Sequence, residues 1–286
     1  MSGYGQSLKN DNNFMRKYFF IFLILLGCSA KSYKVAVIRI KGSDTMLILT
    51  QRLADEYMNL NPGVSIYVEG SGTANGIKSM IKGEVDICTA SRLLKSDEAK
   101  LLADYYGTLG MYFLLAKDAL SIYLNPANPV KNLTRGQLKK IYTCEIKNWK
   151  ELGGNNEQIL AINRAPNSGT YLYFQEHVLE GEQYCANTES AATTEAVIEA
   201  VEKNRNAIGY GGIGYGEDVY HANIDDIEPT EDNARNDSYP ITRYLHFFTS
   251  KSPSGEIKNF IDWAISPAGQ KIIREEGYIP LWEISF

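Results

Sequence analysis

The sequence holds few of the residues from which metal sites and hydrolytic active sites are built. Its 286 residues include 3 histidines and 4 cysteines. The sequence contains neither a C-x-x-C pair nor a G-x-S-x-G motif. Zinc sites and serine-hydrolase triads need such groups at set spacings. We therefore expect no metal, no cofactor and no catalytic residue, and we interpret the three isolated histidines as structural or exposed.

Positive charge is also scarce, since 29 Lys and Arg stand against 34 Asp and Glu for a formal net charge of −5. A nucleic-acid partner therefore has no electrostatic support. A local anion site is still compatible with this balance, because helix dipoles and a single arginine act at short range. Hydrophobic residues make up 44% of the chain, which is typical of a globular protein with one large or two medium domains.

The N-terminal apolar run covers residues 18–26 and is shorter than the roughly 20 residues of a transmembrane helix. Arg16 and Lys17 precede it, and Gly27 and Cys28 follow. This order predicts a secretory signal peptide over residues 1–27. The ending LLGC resembles a bacterial lipobox, so we expect Cys28 to be lipidated, residues 28–33 to form a tether, and the protein to be exported and anchored to a membrane. An incidental cysteine and a start at Met15 are the alternatives.

Three further cysteines follow Cys28. Cys88 lies in an apolar, strand-like run and is expected to be buried. Cys144 and Cys185 could pair in an oxidising compartment, but their spacing leaves this open.

Three strand-like segments each end in a turn rich in Gly, Ser and Thr, and each turn precedes a helical pattern. The strands are predicted over residues 35–40, 64–68 and 158–163, and the turns read KGSDT, GSGT and RAPNSGT. The second turn fits neither the P-loop nor the dinucleotide fingerprint, because its glycines and lysine are misplaced. Unpaired N–H groups at a helix N-terminus suit an anion. Simple helix capping by Thr73 is the alternative.

The segments GSDTM (42–46), GSGTANGIK (70–78), VDICTASR (85–92) and RAPNSGT (164–170) together resemble the phosphate-binding (PstS) family of bacterial ABC transporters. The resemblance continues to EGYIP (276–280) and covers essentially the whole chain after the signal segment. It implies the α/β, two-lobed periplasmic-binding-protein fold of type II, with two crossover segments and a ligand cleft between the lobes. We place the crossovers at residues 114–123 and 240–249, lobe 1 at 34–116 and 246–286, and lobe 2 at 117–245.

The resemblance implies a substrate-binding lipoprotein that captures inorganic phosphate and delivers it to an ABC permease and ATPase complex, acting as a monomer. The implied phosphate-binding residues are Ser43, Asp44, Thr45, Met46, Thr73, Ser91, Arg92, Arg164, Ser168, Gly169 and Thr170. Arginine supports this function, because its planar fork matches two oxygens of an oxyanion.

One position departs from part of the family. Some members have an Asp after the Ser of the Ala-Ser segment, where it accepts the proton of bound phosphate, and this chain has Arg92. Arg92 is expected either to touch the anion or to pair with an acid at the lobe edge. Asp44 is the candidate acceptor, with a helix N-cap as its alternative. Other ligands remain open, namely sulfate, molybdate or tungstate, and so do a phosphatase-like hydrolase and an adhesive surface lipoprotein.

Overall fold

The computed structural model of the protein describes residues 35–282. The predicted signal peptide (1–27), the tether (28–33) and Cys28 lie outside the described residues. Within residues 35–282, no helix is both long enough and apolar enough to cross a bilayer.

Strands and helices alternate over most of the described chain. The strands are β1 (Ala36–Gly42), β2 (Val64–Gly70), β3 (Ile87–Ala90), β4 (Met111–Leu124), β5 (Asn132–Leu133), β6 (Leu160–Arg164), β7 (Glu189–Ala191), β8 (Ala207–Gly212), β9 (Tyr220–Ile224) and β10 (Thr242–Thr249). The helices are α1 (Leu47–Leu60), α2 (Thr73–Ile81), α3 (Ser96–Tyr106), α4 (Arg135–Tyr142), α5 (Gly169–His177), α6 (Thr194–Lys203), α7 (Glu231–Arg235), α8 (Gly255–Ile265) and α9 (Pro267–Glu275). Two 3-10 helices cover Asp44–Met46 and Trp149–Leu152.

The strands pair in the order β2-β1-β3-β10-β4-β8-β6-β7, with β9 pairing β4 and β5. β2, β1 and β3 are parallel to one another, and so are β8, β6 and β7. Between these two groups lie β10 and β4, which are antiparallel. This is the two-lobed α/β fold expected from the sequence, with one group of parallel strands in each lobe.

The long strand β4 passes from one lobe to the other. Residues Met111–Ala119 pair with β10, whereas Leu120–Leu124 pair with β8. β4 and β10 therefore overlap the crossover segments predicted at 114–123 and 240–249. The exact lobe boundaries given above stay a prediction.

The helix α1 shows how the local sequence sets an element. Leu49, Leu53 and Tyr57 recur at helical spacing and are buried, as the pattern predicts. Leu60, predicted on the same face, is the last residue of the helix and is 64% exposed. Pro62 then prevents the helix from continuing, and β2 begins at Val64.

The cysteine alternatives are resolved by the fold. Cys144 and Cys185 form a disulfide with a Cα–Cα distance of 5.8 Å. Cys88 is a buried free thiol on β3, as expected.

Candidate anion-binding site

The carboxyl ends of the parallel strands in the two lobes deliver the predicted turns to one place. β1, β2 and β3 lead into the turns at Ser43, Ser71 and Ser91, and β6 leads into the turn after Arg164. The crevice at the carboxyl ends of strands is where open α/β sheets bind ligands. The strand order therefore brings the three predicted turns, together with the turn at Ser91, to the same edge of the sheet.

The first turn is buried and held by two tyrosines. Ser43, Asp44, Thr45 and Met46 are each at most 8% exposed. The hydroxyl of Tyr215 donates to the Asp44 carbonyl at 2.9 Å, and the hydroxyl of Tyr278 donates to the Thr45 carbonyl. The Met46 N–H, expected to meet the anion, donates to the Ser43 carbonyl at 3.1 Å inside the 3-10 turn. The Thr45 side chain faces the third turn, where its Oγ1 lies within hydrogen-bond distance of Thr170 Oγ1.

The second turn does not use Thr73 as a helix cap. The cap residue of α2 is Gly72, and no side chain caps this helix. Thr73 Oγ1 instead accepts the Ser91 N–H at 3.3 Å and lies 3.4 Å from Ser91 Oγ. Gly72 has φ +82°, and a Cβ there would lie 2.8 Å from the Asn167 carbonyl oxygen. Glycine is thus required for the second and third turns to meet.

The third turn forms the N-terminus of α5. Ser168 Oγ caps this helix by accepting the N–H groups of Thr170 and Tyr171 at 3.1 and 3.4 Å. Its own proton remains available to donate. A Cβ on Gly169 would lie 2.4 Å from Thr73 Oγ1 and 2.5 Å from Ser91 Oγ. The absence of a side chain at Gly169 therefore lets the helix N-terminus approach the other two hydroxyls.

Direct hydrogen bonds join the turns. Thr45 Oγ1 and Thr170 Oγ1 are 2.8 Å apart. Asn167 accepts the Ala74 N–H at 3.1 Å through its carbonyl and donates its side-chain amide to the Ser71 carbonyl at 2.9 Å. These bonds connect segments that lie in different predicted lobes.

Arg164 is 1% exposed and holds the third turn against the first. It donates from Nη2 to Asp44 Oδ2 at 3.1 Å and to the Ala192 carbonyl at 3.0 Å, and from Nη1 to Thr194 Oγ1 at 2.8 Å. The Asp44 carboxylate therefore pairs with Arg164 and caps no helix. The N-cap alternative for Asp44 is wrong.

A second buried arginine reaches the site from the crossover strands. Arg243 on β10 donates to Thr170 Oγ1 at 3.1 Å and to Asp118 Oδ2 on β4 at 2.9 Å. The Arg243 Nη2 also lies 2.9 Å from that oxygen, at an angle that makes an ion-pair contact without a hydrogen bond. Asp118 Oδ1 accepts the Ile213 N–H at 3.0 Å. The site residues predicted from the sequence include neither Arg243 nor Asp118.

Each of these guanidinium groups retains an unused donor. Arg164 Nε and Arg243 Nη2 are buried and have no hydrogen-bond acceptor among the described residues. Buried donors are nearly always satisfied, and a charged donor left without an acceptor is costly. An oxyanion could accept from Arg164 Nε and also from Arg243 Nη2, which has only its ion-pair contact with Asp118.

Burial and ion pairing act in opposite directions on the charged groups. Burial raises the pKa of Asp44 and of Asp118, while Arg164 and Arg243, respectively, oppose the rise. Burial lowers the pKa of Arg164, and Asp44 opposes this. Burial is the larger influence in each case, so the net pKa is raised for Asp44 and Asp118 and lowered for Arg164.

Arg92 lies at the edge of this site and is engaged by an acid. Its Nη1 and Nη2 donate to the two carboxylate oxygens of Glu98, each at 2.7 Å. The structure shows the acid pair that was one of the two alternatives, and an anion contact by Arg92 stays a prediction. Over residues 35–282 no group of three or more His, Cys, Asp or Glu side chains could hold a metal ion.

Comparison with known proteins gives a consistent pattern. A family model described as a PBP superfamily domain matches residues 29–268. The phosphate-binding protein PstS of Bacillus subtilis is 32% identical over 252 residues, covering 86% of this chain and 81% of that protein. PstS of Pseudomonas aeruginosa is 30% identical over 263 residues, covering 84% and 81%.

Solved structures show the same likeness. A substrate-binding protein with bound phosphate from Clostridium perfringens is similar with a TM-score of 0.80 and 33% identity, over 86% of this chain and 100% of that one. An ABC-type phosphate transport receptor from Vibrio cholerae has a TM-score of 0.70 and 31% identity, over 85% and 99%.

Proposed function

Because the chain belongs to the PBP superfamily, and within it to the family of PstS phosphate-binding proteins, we propose that it binds inorganic phosphate between its two lobes as the substrate-binding component of an ABC importer. The observation that carries this proposal is the pair of unused guanidinium donors, Arg164 Nε and Arg243 Nη2, buried beside the three turns. Arg243 also donates from Nη1 to Thr170 Oγ1, which lies 2.8 Å from Thr45 Oγ1, so one of these two hydroxyls keeps a proton for an anion.

The donor set suits a small oxyanion with several oxygens. The hydroxyls of Thr45, Thr73, Ser91, Ser168 and Thr170 are all buried, at most 3% exposed. Charge-assisted hydrogen bonds from arginine, with neutral hydroxyls around them, replace the water that the anion loses on binding. Phosphate near neutral pH also carries a proton, and the Asp44 carboxylate is the acceptor that we assign to it.

The proposal includes no reaction. Ser168 caps α5, and none of the described histidines is among its hydrogen-bond partners. Turnover of a phosphate ester that Ser168→Ala abolishes would contradict this part of the proposal.

We further propose that the protein is exported, anchored to a membrane through a lipidated Cys28, and acts as a monomer that delivers phosphate to a permease and ATPase complex. The order of charged, apolar and LLGC residues supports the anchor. Two lipid chains would be needed, since a single acyl chain binds membranes only marginally. A Cys28→Ser variant should lose its partition into detergent, and one that still partitions fully would count against lipidation.

Isothermal titration of the purified, unlipidated protein with phosphate, sulfate and molybdate tests the proposed ligand. We expect one phosphate per chain and weaker binding of the other two anions. If sulfate or molybdate binds more tightly than phosphate, the assignment of phosphate as the ligand is wrong, but the assignment of an oxyanion site still holds. The absence of binding for all three would overturn both.

A further inference from the structure

The third turn contains one residue whose contacts the proposed function does not explain. Asn167 lies between Arg164 and Ser168 in the RAPNSGT motif, yet it is not among the predicted phosphate-binding residues. Its carbonyl accepts the Ala74 N–H at 3.1 Å, and its side-chain Nδ2 donates to the Ser71 carbonyl at 2.9 Å. A single residue of the third turn therefore makes two hydrogen bonds to the second turn.

The bond to Ala74 satisfies the open end of a helix. The helix α2 begins at Thr73, and no side chain caps it. The first N–H groups of a helix have no partner within that helix, and Ala74 is the second residue of α2. The Asn167 carbonyl thus supplies the acceptor that a capping side chain provides in other helices.

These bonds differ from the other direct contacts between the predicted lobes. The pairs Thr45–Thr170 and Asp44–Arg164 also join the first turn to the third. Their side chains are proposed phosphate ligands, so a bound anion competes for the same hydrogen-bonding groups. The two bonds of Asn167 end on backbone atoms of the second turn that are not proposed ligands. They can therefore persist while an anion is bound.

We propose that Asn167 is a positioning residue that sets the lifetime of bound phosphate, because it fastens the second turn to the third. The inference rests on the proposed function, since it needs phosphate bound between the lobes. Hinge motion that separates two lobes opens the cleft between them, and here this motion must break both Asn167 bonds. A bond that exists only while the turns are together slows release and does not affect capture by the separated lobes.

Asn75 provides a matched control. Its Nδ2 donates to the same Ser71 carbonyl oxygen, also at 2.9 Å, but Asn75 lies on α2 and so in the same predicted lobe as its acceptor. Asn75→Ala and Asn167→Ala each remove one amide donor from one acceptor. Only Asn167→Ala removes a bond between the predicted lobes, so the comparison separates the contact between lobes from the loss of a donor.

The test measures both rate constants of phosphate binding on the purified, unlipidated protein. Release of radiolabelled phosphate into an excess of unlabelled phosphate gives the dissociation rate constant. Isothermal titration gives the dissociation constant, and the association rate constant follows from the two. A purely structural role would lower the unfolding temperature without changing the rate of release, so thermal unfolding in the absence of phosphate is measured alongside.

We expect Asn167→Ala to release phosphate about two- to tenfold faster than the wild type, the value of one neutral hydrogen bond. The association rate constant should stay within about twofold, because the loss lies in dissociation. Asn167→Asp, which turns a carboxylate oxygen toward the Ser71 carbonyl, should release phosphate faster still. Asn75→Ala should release it at the wild-type rate.

Three results would overturn the inference while the wild type still binds phosphate. Both Asn167 variants could release phosphate at the wild-type rate. Asn75→Ala could accelerate release as much as Asn167→Ala, which would assign the effect to the Ser71 carbonyl and not to the contact between lobes. The association rate constant alone could fall, which would place Asn167 in capture. Failure of the wild type to bind phosphate would instead contradict the proposed function.

Discussion

Asp44 and Arg164 form a buried ion pair that joins the first anion turn to the third, with 3.1 Å between Oδ2 and Nη2 and side chains 9% and 1% exposed. The two residues lie in different predicted lobes. A bound anion would therefore share Arg164 with a carboxylate that is already present, and both the affinity and the selectivity of the site depend on this sharing.

Replacement of Arg164 by Ala should weaken phosphate binding by roughly ten- to a hundredfold, because hydrogen bonds to charged groups contribute about 1.5–3 kcal/mol. Thr73→Ala should cost far less, since it removes a neutral hydroxyl. Isothermal titration of both variants makes the comparison. An unchanged dissociation constant in Arg164→Ala would show that the third turn is not in the site.

Controls are needed because Arg164→Ala leaves Asp44 buried without its partner, and such a charge destabilises the fold. The double variant Arg164→Ala/Asp44→Ala removes both charges and should unfold at a higher temperature than the single variant. Arg39→Ala removes an arginine on β1 that pairs with Asp86 at the surface, and it should leave the affinity unchanged.

Arg243→Gln tests the arginine that the crossover strand supplies. We expect a loss of phosphate affinity of about ten- to a hundredfold, because the Nη2 donor and the charge are removed together. Adding Asp118→Asn should restore thermal stability and leave the affinity low. Arg205→Gln, in an exposed pair with Glu157, is the matched control. If Arg243→Gln binds phosphate with full affinity, then Arg243 pairs with Asp118 and does not contact the anion.

This arginine also shows what the sequence could and could not predict. The three turns and their helices were predictable, because strand, turn and helix cap are local patterns. The Asp118–Arg243 pair joins residues 125 positions apart and depends on the register in which β4 faces β10. Asp118 lies in the predicted crossover segment 114–123, and Arg243 lies in the segment 240–249. Aligning these two segments as antiparallel strands would have indicated that the two charges could pair.

Two further residues make contacts that the sequence motifs do not specify. Arg92 follows Ser91 in the chain, yet its guanidinium turns to Glu98 six positions on, at the first turn of α3. The Met46 N–H was expected to meet the anion, but a 3-10 turn precedes α1, and in this turn the Met46 N–H donates to the Ser43 carbonyl. Both outcomes depend on side-chain directions and turn geometry that a motif does not specify.

Asp44→Asn should weaken phosphate binding and narrow the gap between phosphate and sulfate. A carboxylate accepts the proton of bound phosphate and repels a sulfate oxygen, whereas an amide can donate as well as accept. Paired titrations of phosphate and sulfate on wild type and variant give the ratio of affinities. If the ratio does not change, Asp44 serves only to position Arg164, and the selectivity arises elsewhere.

Acidification should destabilise the protein through His246. Its pKa is lowered from 6.5 to about 4 by burial, so the unfolded chain binds more protons than the folded one between these values. The free energy of unfolding should therefore fall as the pH drops from 6.5 to 4, by up to roughly 3 kcal/mol from this group. Urea unfolding of wild type and His246→Phe over this range measures the difference. Parallel pH profiles for the two proteins would show that His246 titrates normally.

The central claim is that an oxyanion lies where the three turns and the two buried arginines meet. A crystal structure of the protein grown with phosphate tests it most directly. We predict one phosphate per chain, with oxygens about 2.7–2.9 Å from Arg164 and Arg243 nitrogens and in hydrogen-bond contact with Thr45 and Thr170. A phosphate bound only at the mouth of the cleft, without contact to either arginine, would contradict the account.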